Sequence, residues 1–329
     1  MKKTLLSFLL IVLLINLDIY SQSTNVNCYG GTNDDYYIST VFSTDSSFFL
    51  TLGASNSING DITNSLGNDD IWICKFDSTS QLLWSKNFGG SLDEEGFKIK
   101  NCYNDFIFLG TSESNDYDVG NQHGNGDAWI VKIDSTGLIK WELNIGGSDY
   151  EVASDFIIQD SLIYIVGQTS SNNFDFTNNH GNSDLFLSVI DTSGNLLFTR
   201  LFGGSDDDAG TSISIRNNIL YITGWTFSTD GNVSFNHGEQ DVWLLKVNLN
   251  GNLIQEKTFG GSEFEQSNLI IPNSDNKFYI IANTSSFDDD VSNFLGDEDA
   301  WIILLDSSLN IIKEKCFGGT SYPSGEPRS

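Results

Sequence analysis

Between Phe88 and Asn144 short apolar stretches alternate with polar turns, and their spacing is that of strands. Phe97-Lys98-Ile99-Lys100 puts apolar and polar side chains on opposite faces, while Phe106-Ile107-Phe108-Leu109 is an unbroken apolar run after the turn residues Asn104-Asp105. A long polar loop, 112–126, leads to Ala128-Trp129-Ile130-Val131-Lys132-Ile133. The turn Asp134-Ser135-Thr136-Gly137 then leads to Ile139-Lys140-Trp141-Glu142-Leu143. Four short strands are predicted, and no stretch carries a helical period.

The unit recurs. Its opening, Phe88-Gly89-Gly90-Ser91, returns as Ile145-Gly146-Gly147-Ser148, Phe202-Gly203-Gly204-Ser205, Phe259-Gly260-Gly261-Ser262 and Phe317-Gly318-Gly319-Thr320, with an earlier copy at Tyr29-Gly30-Gly31-Thr32. Successive copies lie 59, 57, 57, 57 and 58 residues apart. Each third strand carries one aromatic in the same slot: Trp72, Trp129, Phe186, Trp243 and Trp301. A unit this small cannot hide its apolar face alone, so neighbours must stack. Four antiparallel strands per unit with a recurring large aromatic is the pattern of a β-propeller blade. The expected fold is all-β, a propeller of five four-stranded blades spanning 22–320, with repeats at 29–87, 88–144, 145–201, 202–258 and 259–316. An incomplete larger propeller is the alternative.

The run of Phe-Gly-Gly-Ser, then acids, then Asp116-Tyr117-Asp118-Val119, then Asp127-Ala128-Trp129 with Lys132, Asp134 and Gly137 resembles the secreted β-propeller repeat proteins abundant in Bacteroidetes. Members of that group often carry a C-terminal cell-surface sorting domain. The resemblance covers Tyr29 to Thr320 and implies the fold and export far more than any activity. Residues 321–329 read as a linker or frayed end rather than as such a domain.

Composition adds the compartment. Lys2 and Lys3, the apolar run 5–17 and the small Ser21 read as a signal peptide over 1–21, which makes the mature chain secreted or cell-surface. No segment supplies the roughly 20 apolar residues of a membrane helix. A net charge of −28 excludes nucleic acid as a partner, because phosphates need Lys and Arg. An aromatic content of 12% with regular apolar patterning sets aside disorder as the meaning of that charge. Closing a five-blade ring would bring the strand-like segments 24–28 and 311–316 side by side, and a Cys28–Cys316 disulfide is expected there in an oxidising compartment.

Three polar columns stay in register through the repeats. The first is an acid three residues after the motif's Ser or Thr: Asp35, Glu94, Glu151, Asp208 and Glu265. The second is a loop doublet: Asn59 and Asp61, Asp116 and Asp118, Asn173 and Asp175, Asp230 and Asn232, Asp288 and Asp290. The third is the Asp that opens the third strand: Asp70, Asp127, Asp184, Asp241 and Asp299. Oxygens at alternate positions followed by a further Asp suit a hard cation, so the carboxylates of the last two columns are candidate calcium ligands and calcium is the one cofactor the pattern suggests. The competing reading, preferred because no longer ligand series is present, is that they satisfy loop amides. His123, His180 and His237 share a slot with Leu66 and Leu295, which favours packing over a three-histidine metal site.

The first two columns, the acids after the Gly-Gly-Ser motif and the loop doublets, are expected on one rim, giving a strongly negative face. No unit departs from the repeat with an extra catalytic cluster, so the expectation is a non-catalytic module that binds a glycan or an extracellular protein through this acidic loop face. A carbohydrate-active hydrolase and a structural surface protein are the alternatives. Trp225, standing where other units have Ala54, Thr111, Gln168 or Asn283, is the candidate for ligand contact.

Overall fold

A computed structural model describes residues 28–273 and 275–319. The leader at 1–21, the segment 24–27 and the tail at 321–329 lie outside the described residues. The described chain folds into five four-stranded antiparallel sheets, each ordered as its strands occur in sequence. Blade 1 comprises Asp35–Phe42, Phe48–Ser55, Asp70–Asp77 and Leu82–Phe88; blade 2 comprises Glu94–Cys102, Asp105–Ser112, Asp127–Ile133 and Ile139–Ile145. Blade 3 has Glu151–Gln159, Leu162–Thr169, Asp184–Asp191 and Leu196–Phe202. Blade 4 has Asp208–Arg216, Ile219–Thr226, Asp241–Asn248 and Leu253–Phe259, and blade 5 has Glu265–Pro272, Phe278–Thr284, Asp299–Leu305 and Ile311–Phe317. First strands begin at the column acid, three residues earlier than the apolar alternation alone indicates.

First strands of successive blades pack on one another, so they line the inside of a propeller-like arrangement and the fourth strands lie outside. The core lies between blades. Leu50, Leu52, Ile71 and Ile73 of blade 1 meet Ile99, Phe108, Trp129 and Val131 of blade 2. Ile107, Leu109, Ala128 and Ile130 of blade 2 meet Phe156, Ile165, Phe176 and Phe186 of blade 3 in the same way. Both faces of the middle strands are therefore covered, which explains why their sequences read as unbroken apolar runs rather than alternations.

Close approach dictates glycine at the junctions. A Cβ on Gly96 would sit 2.9 Å from Leu52 Cδ2 of the preceding blade, and one on Gly90 would sit 2.2 Å from Ser114 Cβ. In the pairs up to Gly260-Gly261 the second glycine is thus demanded by contact with the long loop, not by the positive φ that turn chemistry suggests.

Among the described residues the ring is not closed. No hydrophobic cluster among the described residues joins blade 5 to blade 1. The expected disulfide fails with it: Cys28 is an exposed free thiol and Cys316 a buried free thiol within the blade 5 cluster. No helix among the described residues is long and apolar enough to cross a membrane.

Candidate functional site

Each junction is tied by one polar network. Glu94 is buried, and its Oε2 accepts from the Gly90 amide at 2.7 Å while Oε1 accepts from the Ser112 hydroxyl at 2.7 Å. Glu151 does the same with Gly147 N (2.7 Å) and Thr169 Oγ1 (2.6 Å), and Glu265 with Gly261 N (2.8 Å) and Thr284 Oγ1 (2.6 Å). The buried serines Ser57, Ser114, Ser171, Ser228 and Ser286 complete the network from the loop. Their column was visible in the repeat alignment but carried no signal, because a lone loop serine is ordinarily exposed.

The loop doublets hold the same turn from the other side. Asp116 Oδ1 accepts from Ser91 N at 2.8 Å, Asp230 Oδ1 from Ser205 N at 2.7 Å and Asp288 Oδ1 from Ser262 N at 2.9 Å. The second members Asp61 and Asp175 accept from Gly30 N (3.0 Å) and Gly146 N (3.1 Å), and Asp118 and Asp290 from the amides of Gly89 and Gly260. These residues close loops, as Asx side chains do. Among the described residues no group of three or more His, Cys, Asp or Glu side chains is arranged to hold a metal ion.

The third column is buried as well. Asp70, Asp127, Asp184, Asp241 and Asp299 each turn Oδ2 to the amide four residues earlier, at 2.7–3.1 Å. In the middle three that residue, four positions earlier, is a histidine whose Nδ1 also meets Oδ2, at 3.2, 2.6 and 2.6 Å. The hydrogen bond to Asp241 raises the pKa of His237. The histidines therefore each pair with their own blade's aspartate.

Burial dominates the acids' ionisation. It raises the pKa of Asp70, Asp127, Asp184 and Glu151, only partly offset by their hydrogen bonds, and lifts Asp208 to about 6. Because the folded Asp208 binds its proton more tightly than the unfolded chain, its contribution to stability is complete below about pH 4 and lost as pH rises through about 6. Wild type should thus gain about 2 kcal/mol more than Asp208→Asn between pH 7 and pH 4 from this group alone. Urea unfolding of the two proteins at both pH values reads the difference, and parallel pH profiles would refute it.

What remains for a ligand is the set of inner slots that do not follow the repeat. At the position after the column acid stand Tyr36, Glu95, Val152, Ala209 and Gln266; two residues beyond the second-strand slot of Trp225 come Asn56, Glu113, Ser170, Phe227 and Ser285. These side chains are free to differ because the junction does not use them. Where blades 1, 2 and 3 meet they enclose a cleft of about 240 Å³ walled by Tyr36, Asp69, Asp93, Glu95, Glu113 and Tyr150, with no Lys or Arg in its lining. Burial and then the charges of Glu95 and Asp69 raise the Tyr36 pKa; burial and then Glu113, Glu95 and Asp93 raise that of Tyr150. Burial, with Asp93 and Glu94, does the same to Glu113. The field in the cleft is negative and unbalanced.

Trp225 occupies the variable slot on blade 4, edge-on to Phe227 with ring centroids 5.8 Å apart, and Phe227 is edge-on to Phe264 at 6.0 Å. It sits in an aromatic cluster, half-buried, not in the acidic cleft. The cleft residues carry no signal in the sequence because they occupy slots that break the register of the repeat.

No protein-family model matches the chain. Among curated proteins it is similar to the regulatory protein FlaEY of Caulobacter vibrioides, at 22% identity over 201 residues, which is 55% of this chain and 21% of that protein. The chain thus spans about a fifth of that relative's length. Among solved structures it is similar to a Glu150Gln mutant of the Synechocystis apocarotenoid oxygenase, at 13% identity and TM-score 0.47, covering 86% of this chain and 62% of that one. It is also similar to an ACO/RPE65 chimera, at 12% identity and TM-score 0.45, covering 83% and 59%. The expected non-catalytic module with an acidic loop face for a glycan or protein is corrected by the acids themselves: those that were to form the face are turned inward on amides and hydroxyls.

Proposed function

We propose that the cleft between blades 1, 2 and 3 takes an organic cation, as ligand or as substrate, and that the repeated junction networks are the rigid frame that holds it open. The observation that carries this reading is the break in register. Beside the buried Glu94 of the frame, four carboxylates, those of Asp69, Asp93, Glu95 and Glu113, gather at one place with two tyrosine rings and no basic side chain. An ammonium group suits that lining, since carboxylates neutralise it and aromatic faces attract it. An anion is repelled. Export by way of the leader-like segment 1–21 is part of the same proposal and would place the cleft outside the cell.

Titration calorimetry with putrescine and spermidine tests it. Saturable binding is expected, weakened by added salt and reduced at least about tenfold in Glu95→Gln/Glu113→Gln. Glu95 is exposed and Glu113 only half-buried, so that variant should keep the fold. Absence of binding, or binding that the double variant leaves intact, would reject the assignment.

A further inference from the structure

The two ends of the array differ. Every blade presents a front face to the blade that follows and a back face to the blade before. The front positions Leu50, Leu52, Ile71 and Ile73 of blade 1 recur as Ile107, Leu109, Ala128 and Ile130 in blade 2, as Tyr164, Val166, Leu185 and Leu187 in blade 3, and as Tyr221, Thr223, Val242 and Leu244 in blade 4. All sixteen are buried under the next blade. In blade 5 the same positions are Tyr279, Ile281, Ala300 and Ile302, and there burial alternates along the second and third strands: the back-facing residues are buried, whereas Ala300 is exposed and Tyr279, Ile281 and Ile302 are only half-buried. The sequence is as apolar as in the other blades, so the face is built for contact.

The back face of blade 1 does not supply that contact. At the junctions the front side chains close on a small first-strand residue of the next blade, namely Gly96, Ala153, Gly210 or Ser267. Blade 1 has Tyr37 there. Its ring stacks on Trp72 at 4.8 Å and its hydroxyl meets Cys74 Sγ at 3.2 Å, covering blade 1's own third strand. One end of the array is capped by its own tyrosine and the other is open, as a terminal repeat without a cap would be.

We infer that the front face of blade 5 seats a further four-stranded unit of this same repeat type, one carrying Gly, Ala or Ser in the slot that Tyr37 fills in blade 1. The argument is continuity: four junctions in this chain already show what covers this face, and the residues of the fifth match them position for position. Ile281 and Ala300 match in position and kind Leu109 and Ala128, which pack with Ala153, so a unit like blade 3 is the fitting occupant.

The test uses the full chain and an extension of it. In the existing chain, Ile302→Glu should leave folding and the thermal midpoint nearly unchanged, whereas Ile130→Glu, the same change at a covered junction, should abolish folding. Joining a copy of residues 146–202 after Phe317 should slow amide exchange in the strands Phe278–Thr284 and Asp299–Leu305 at least about tenfold. The same extension carrying Ala153→Tyr in the added copy should not. Equal damage from Ile302→Glu and Ile130→Glu would mean that the face is already covered and would overturn the inference, as would equal protection by both extensions. A dimer in sedimentation that Ile302→Glu dissociates would assign the face to a second copy, and so reject a further repeat unit as its occupant.

Discussion

Glu151→Ala should lower the unfolding free energy by about 4 kcal/mol, while Glu151→Gln should cost under about 1.5 kcal/mol. Alanine leaves the Gly147 amide and the Thr169 hydroxyl without the acceptor they meet at 2.7 and 2.6 Å, in a site where no part of the side chain reaches solvent. Glutamine keeps an acceptor and removes a charge that burial already disfavours, as the raised pKa of Glu151 records. Chemical denaturation at pH 7 separates the two outcomes. If the alanine variant loses less than about 1 kcal/mol, the acid column is not what holds the Gly-Gly turns, and the frame we assign to the cleft has another origin.

Trp129→Ala should cost about 4 kcal/mol, and Trp225→Ala less than about 1 kcal/mol. The two tryptophans stand on neighbouring strands of their blades, yet only Trp129 is wholly enclosed. It packs between Leu50, Leu52, Ile71 and Ile73 of blade 1 and the body of blade 2, and its indole N–H reaches Glu142 Oε2 at 3.2 Å. Removing it opens a cavity at a junction that two blades share, so their unfolding should become separable. Calorimetry of the variant should show a broadened or split transition; one sharp transition at the wild-type midpoint would contradict this account of the junction. Trp225 closes no junction and lies among Phe227 and Phe264 on the inner rim, where its loss can be filled by rotation of its neighbours.

Much of the frame is legible in the sequence. The Gly-Gly-Ser register marks the blades, the apolar runs mark their strands, and the aromatic column, from Trp72 to Trp301, marks the faces that must be covered. The polar columns were legible as columns but not as chemistry. Asp116 and Ser114 read alike as surface loop residues in a string of letters, and only the fold shows that one binds the Ser91 amide and the other is enclosed with Glu94. A carboxylate at a turn has the same spelling whether it faces water, a cation or a backbone N–H.

The chain's own letters determined the periodic strand pattern and the sizes of side chains at each slot, because both depend on local alternation and on repetition within one polypeptide. Whether the last blade meets the first was beyond them, since that rests on how much each unit turns relative to its neighbour, a sum of small angles set by packing. The tertiary structure decided it by placing Tyr37 over Trp72, leaving Ile302 and Tyr279 only half-buried, and turning the acids inward. It also brought Asp69, Glu113 and Tyr150, from three different blades, into one cleft, because contacts between units follow geometry in space and not distance along the chain.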